Sequence, residues 1–302
     1  MLPLLLRKVT IMGETIFNYL YQFFDSFSFL ILAAMGLAVV FGMMNIINMA
    51  HGEFIMLGAY VFTIACNHGV PFILSVVLAV IFVAAFGVVM DRLIICRLYS
   101  RPLDSIVVTW GISLAVTQIV QIIFGTSLPS ASVPLGSFTI GESRFSVYRI
   151  VLVGIAALLL AGFYFLFMHT KFGLYSRATM QNAEVAKSLG INTNFEYSAT
   201  FAVGAGVAGL TGALYAPLMA VSPSMGQSFS IQAFTTVVVG GANPLVGTVL
   251  SGASLGIVNS VVSLEAGQFM GRIAMLAAAI VCIRVFPLGF SGLVEKIRKG
   301  GR

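Results

Sequence analysis

Charge is what this sequence lacks most. Between Asp25 and Asp91 it carries a single ionisable acid or base of full charge, Glu53, and only 9% of all residues are Asp, Glu, Lys or Arg, against about 25% in soluble domains. That scarcity excludes a solvated globular protein and leaves apolar runs long enough to cross a bilayer. The three cysteines, Cys66, Cys96 and Cys282, give neither a disulfide framework nor metal-ligand spacing. His51, His68 and His169 lie far apart in sequence, and no His-Glu-x-x-His occurs, so no metal site is expected. No Gly-x-x-x-x-Gly-Lys-Ser/Thr stretch is present, which excludes a P-loop ATPase. One Gly-x-Ser-x-Gly occurs, Gly252 to Gly256 around Ser254, but it sits in an apolar helix without the strand-turn-helix setting that exposes a nucleophile. The spans also lack the series of acids or histidines expected of a proton-coupled carrier. No catalytic role and no cofactor are expected in this chain, and an energy source is expected from a partner. The net charge of +6 gathers at segment ends, the pattern of cytoplasmic loops rather than of a nucleic-acid surface.

What is present is a polar stretch in the middle of the first apolar region. Asn45, Asn48, His51 and Glu53 fall within nine positions, flanked by Gly42 and Gly52. An ionisable group at membrane depth faces the bundle interior or a water-filled path, and glycines allow a helix to break. Residues 42–53 therefore read as a discontinuous membrane segment lining a cavity. Its polar side chains either line a solute path or hydrogen-bond the broken backbone.

The remaining chain reads as an all-α polytopic bundle, one transmembrane domain over residues 1–302, with about eight membrane segments. Residues 1–25 predict an interfacial lead-in helix and 26–41 the first span. Spans follow over 72–90, 105–124, 148–168, 198–220 and 271–285. The second of these contains Trp110 with Gln118 and Gln121. Residues 125–147 predict an external loop rich in Ser, Pro and Gly. Residues 170–197 are the longest polar interval, with a short helix expected over 175–190. Residues 231–262 form a second broken stretch, interrupted at Gly240-Gly241-Ala242-Asn243-Pro244 and expected to re-enter. Two breaks of this kind suggest half-helices meeting near the midplane. Ala205/Gly209 and Ala208/Gly212 place small residues four apart, a face for close helix packing. Lys296, Arg298, Lys299 and Arg302 place the C-terminus in the cytoplasm.

Asn45-Ile46-Ile47-Asn48-Met49-Ala50-His51-Gly52-Glu53, followed by Met56-Leu57-Gly58-Ala59-Tyr60, resembles the signature of permease subunits of ABC importers for branched-chain amino acids and urea. Arg177-Ala178 with Asn182, Glu184, Ala186 and Gly190-Ile191 is similar to that family's cytoplasmic coupling segment, and Val239-Gly240-Gly241 through Gly247-Thr248 to its later glycine-rich motif. Within the family, Arg101-Pro102-Leu103 leading to Thr109-Trp110-Gly111, Met180-Gln181-Asn182 and Ser222-Pro223-x-x-Gly226-Gln227 look more like the urea-type permeases. Gly240-Gly241-Ala242-Asn243 departs from the family's Gly-Gly-x-Gly.

The resemblance implies a permease subunit in the bacterial inner membrane. Its partners would be two ATP-binding subunits that hold ATP and magnesium, a second related or identical permease, a periplasmic or extracellular binding protein, and membrane lipid. It implies urea or a small amide as cargo, with branched-chain amino acids as the alternative. Asn45, Asn48, His51, Glu53 and Trp110 would line the pathway, and Arg177, Asn182, Glu184, Ala186 and Gly190 would couple to the ATPase. A channel or carrier working without ATP is the competing class. An intramembrane enzyme using Ser254, or His51 with Glu53, is the remaining one.

Overall fold

The computed structural model describes residues 2–99, 101–141, 143–241 and 243–292. The chain folds as a helical bundle in the order α1 (Leu2–Met44), α2 (His51–Asn67), α3 (Phe72–Leu93), α4 (Pro102–Phe124), a hairpin of β1 (Ser137–Ile140) and β2 (Ser143–Ser146), and α5 (Val147–His169). Then come α6 (Lys171–Gln181), α7 (Ala183–Ser188), α8 (Thr193–Tyr215), α9 (Met225–Gly240), α10 (Pro244–Ala266) and α11 (Gln268–Val285). Among the described residues, seven helices are long and apolar enough to cross a membrane: α1, α3, α4, α5, α8, α10 and α11. The short helices α2 and α9, with 17 and 16 residues, follow or precede the two breaks. Each falls below the roughly 20 residues a straight span needs. The expected eight segments thus resolve into seven long helices and two short ones.

Burial separates centre from periphery. The α1 and α8 spans are 78% buried inside the chain, whereas those of α4 and α11 are 17% buried. Helix α8 holds the centre because its small residues let other backbones come close. A Cβ on Gly204 would strike Val40 and the Gly36 carbonyl, and one on Gly209 would strike Val83. One on Gly212 would strike the backbone of Ile55 and Ala59. The small-residue face read from the sequence is therefore filled by α1, α2 and α3 of the same chain. Helix α10 lies antiparallel to α1, with Gly252 and Gly256 against Phe27 and with Tyr19 3.5 Å from Glu265.

Three expectations are corrected. The lead-in helix and first span are one continuous helix, since no Gly or Pro interrupts residues 14–35. Residues 125–147 contain the β1–β2 hairpin, turned at Gly141 with φ 60°. It docks on α1 through Phe145 against Phe17 and Tyr21, at ring centroid distances of 5.0 and 4.9 Å. The Tyr21 hydroxyl sits 3.0 Å from both the Ser146 N–H and carbonyl, and Asp25 pairs with Arg149 just beyond. Third, α9 begins at Met225, and the second break narrows to residues 241–243, with Gly241 at φ 83°. The basic C-terminal tail lies outside the described residues.

Replacing Gly212 by Val is expected to abolish the monodisperse detergent-solubilised peak in size-exclusion chromatography. Overpacking costs about 1–3 kcal/mol where neighbours can yield, and here the neighbours are backbone. Gly154→Val, at a position with nothing within 4 Å, is expected to keep that peak.

Candidate functional site

The break after α1 is built by Asn45. Its N–H still closes the last turn onto the Phe41 carbonyl at 2.9 Å, but its own φ is 52°. Left-handed backbone suits Gly best and Asn next, so the helix ends there. Residues 46–49 then run outside any helix through a largely buried region. Each freed backbone group needs a partner from the protein. Asn48 turns its side chain inward so that Oδ1 accepts from the Ala50 N–H at 3.0 Å. The Met49 N–H donates to Thr109 Oγ1 at 3.0 Å, and Ser105 donates to the Ile47 carbonyl at 3.4 Å. The Gly52 N–H, in the first turn of α2, donates to Ser230 Oγ on α9 at 3.0 Å.

His51 and Glu53 complete the cluster, each only 1% exposed. His51 Nε2 lies 3.1 Å from the Ala33 carbonyl. A carbonyl only accepts, so this nitrogen carries the hydrogen. The side chain therefore clamps the start of α2 to the middle of α1. Glu53 reaches α4 instead: Oε1 accepts from Thr117 at 3.4 Å, Ser113 also donates to the carboxylate, and Oε2 has no partner among the described residues.

The hydrogen bonds described from α4 to the stretch come from hydroxyls. Ser105, Thr109, Ser113 and Thr117 stand four apart and form one stripe facing residues 47–53. The sequence reading overlooked this stripe and singled out Trp110, Gln118 and Gln121 in the same helix. The four-residue spacing of Ser and Thr was the signal. The structure does not bring Trp110 to the cluster: it lies 55% exposed on the outer surface of α4, where Gln118 and Gln121 are exposed too. Asn45 is exposed at the edge of the break, and Asn48 is buried within it. The two short helices meet here as well. Gly52 and Gly226 touch backbone to backbone, so the first turns of α2 and α9 lie side by side.

The polar interval after α5 forms two short helices rather than one. Asn182 ends α6 and caps α7, its Oδ1 accepting from the N–H groups of Glu184 and Val185 at 3.1 Å each. Ala186 is buried, Glu184 is exposed, and Arg177 folds back on its own helix to the Gly173 carbonyl at 3.1 Å. Gly190, at φ 85°, closes α7 as the Ile191 N–H returns to the Ala186 carbonyl. The outer side carries Leu174, Val185 and Leu189, the last 76% exposed. The inner side is tied to α8, where Ser176 donates to Glu196 at 3.0 Å. Two residues on, Ser198 bonds Asp91 of α3, which also accepts from Tyr99 at 2.6 Å. Among the described residues, no group of three His, Cys, Asp or Glu could hold a metal ion.

A family model described as branched-chain amino acid transport system, permease component, matches residues 17–284. The high-affinity branched-chain amino acid transport system permease protein LivH of Escherichia coli K12 is 26% identical over 95% of this chain and 100% of its own length. BraD of Pseudomonas aeruginosa, with the same description, is 27% identical over 93% of this chain and 99% of its own. A probable branched-chain amino acid transport permease protein LivH of Methanocaldococcus jannaschii is 26% identical over 87% and 89%. No solved structure matches the chain.

Thr109→Val keeps the shape of the side chain but leaves the half-buried Met49 N–H without its acceptor. An unsatisfied buried donor costs about 1–3 kcal/mol. The variant is expected to unfold at lower temperature in detergent, read by intrinsic fluorescence, whereas Thr109→Ser should hold the wild-type midpoint.

Proposed function

This chain belongs to the branched-chain amino acid transport permease family, and on that premise we propose that it is the membrane-spanning permease subunit of an ATP-driven importer of branched-chain amino acids. The observation that carries the reading is a bundle whose central helix is tied at one end to an exposed coupling segment and packs along its length against a broken, polar-lined pair of segments. The relatives are named for branched-chain amino acids, which supports that cargo over urea. The urea-type likeness around Trp110 concerns a residue on the outer surface of α4, away from the cluster.

The mechanism follows from these connections. Helices α6 and α7 present Asn182, Glu184, Gly190 and the apolar Leu174, Val185 and Leu189 to an ATP-binding subunit, with Arg177 and the buried Ala186 shaping the surface. When the two ATP-binding subunits close on ATP and magnesium, α6 moves. The Ser176–Glu196 hydrogen bond passes the motion to α8. Close backbone packing leaves α8 no slack against α1 and α2, so displacement reaches the break at residues 45–53. Asn48 and His51 hold the break together, while Asn45, the hydroxyl stripe and the unpaired Glu53 oxygen offer polar contacts to a solute. ATP hydrolysis belongs to the partners, and this subunit supplies the path.

The assembly contains a second related or identical permease, two ATP-binding subunits and a binding protein that delivers cargo. It sits in the bacterial inner membrane with α6, α7 and the C-terminus in the cytoplasm. In proteoliposomes holding this complete assembly, leucine with its binding protein is expected to stimulate ATP hydrolysis, and urea is not. Stimulation by urea or short amides alone would move the chain to the urea-type branch.

Gly190→Val forces a branched side chain into left-handed backbone at the end of α7. ATP-driven uptake is expected to fall about tenfold, the factor that corresponds to roughly 1.4 kcal/mol of lost coupling, while the permease still inserts and assembles. Undiminished uptake would mean that transport does not pass through α6 and α7, as a channel requires.

A further inference from the structure

At the end of the bundle opposite α6 and α7, a cavity of about 210 Å³ opens between α1, α5, α8, α9, α10 and α11. It shares no lining residue with the break at 45–53. Its ionised lining groups are one carboxylate, Asp25, and two guanidiniums, Arg149 and Arg272. Asp25 and Arg149 pair with each other. Among the described residues the other ion pair is Arg101 with Asp104, so Arg272 has no carboxylate partner and the cavity keeps one uncompensated positive charge. Four amides share the lining, Gln22, Asn259, Gln268 and the 8%-exposed Gln232. The apolar part of the lining is made by Phe29, Leu218 and Met219.

This combination is amphipathic in a specific way. A spare guanidinium takes a carboxylate in a bidentate, charge-assisted arrangement. An ion pair beside it offers carboxylate oxygens to an ammonium group. Aliphatic and aromatic walls accept a branched hydrocarbon side chain. A neutral diamide such as urea would use neither the charge nor the apolar wall. We propose that this cavity is the receiving site for cargo on the outer side of the membrane, and that it holds a zwitterionic aliphatic amino acid. The carboxylate rests on Arg272, the ammonium faces Asp25 and Gln232, and the side chain lies over Phe29 and Met219. The assignment rests on the amino-acid permease reading above, and it adds a site to the pathway that the central stretch alone does not provide.

The test is Arg272→Gln in the complete assembly, reconstituted in proteoliposomes and supplied with leucine-loaded binding protein at saturation. Arg272 is exposed, so the variant should fold. Leucine uptake is expected to fall about tenfold or more, as for loss of a charge-assisted hydrogen bond, with docking of the binding protein to the vesicles unchanged. Wild-type rates in the variant would overturn the cavity assignment while leaving the amino-acid reading intact. Loss of docking would overturn it too, and would place Arg272 on the surface that meets the binding protein. If the wild-type assembly moves urea or a short amide but not leucine, the amino-acid reading itself falls and takes the assignment with it.

Discussion

A peptide group removed from water must find its hydrogen-bond partner inside the protein, and residues 45–52 are where this chain answers that demand. A helix that stops at Met44 and restarts at His51 strands several N–H and C=O groups in a largely buried region. Partners come from α4 through Ser105 and Thr109, from α9 through Ser230 and from the stretch itself through Asn48, while α1 holds the His51 side chain through the Ala33 carbonyl. Loss of any one leaves an unsatisfied buried group, so the break acts as a joint that locks four elements in register. The same joint explains why polar residues persist in so apolar a sequence. Asn48 and His51 are occupied by backbone, and their chemistry is architectural before it is anything else.

Close packing fixes what surrounds the joint. Glycines on α8 bring the backbones of α1, α2 and α3 within reach of one another, and Gly52 and Gly226 do the same for the two short helices. Backbone against backbone transmits displacement with little loss, since no flexible side chain absorbs it. The hydrogen bonds of Glu196 to Ser176 and of Ser198 to Asp91 sit on one turn of α8, so the coupling segment and α3 hold the same point of the central helix. Under the proposed coupling through α6 and α7, this linkage would carry motion from that segment to the polar break inside the bundle.

Much of this was legible in the sequence, for reasons that can be named. Gly42 and Gly52 around Asn45, and Gly240-Gly241 before Pro244, marked both breaks because helix termination leaves its own residue types. Ala205, Gly209 and Gly212 marked the packing face of α8 through four-residue spacing. Gly190 marked the end of α7, although the division of that interval into two helices at Asn182 went unread. The β hairpin was lost because four-residue strands such as Ser137–Ile140 take their stability from docking on Phe17 and Tyr21, far away in sequence. The α4 stripe was lost for a different reason. Serine and threonine are neutral and common, and the eye goes to tryptophan and glutamine, which here lie on the exposed face. The cavity around Arg272 was invisible too, as it gathers residues from six helices separated by more than two hundred positions.

Glu53 ties the electrostatics together. It is the lone carboxylate of the central region, and it stands in the first turn of α2, where unpaired N–H groups and the helix dipole favour negative charge. Helix α9 begins alongside, so two positive helix ends converge on the same place. Ser113 and Thr117 add hydroxyl donors from α4. The acid is thus held by dipoles rather than by a cation, which keeps the region free of a permanent ion pair. The full charges that pair among the described residues stand away from this region, Asp25 with Arg149 near the hairpin and Arg101 with Asp104 at the start of α4. A zwitterion moving through such a protein would exchange salt-bridge partners at the outer end for oriented dipoles and hydroxyls at the centre. That graded change of environment lets it advance without being trapped by a strong site midway, which is the condition that transport imposes and tight binding violates.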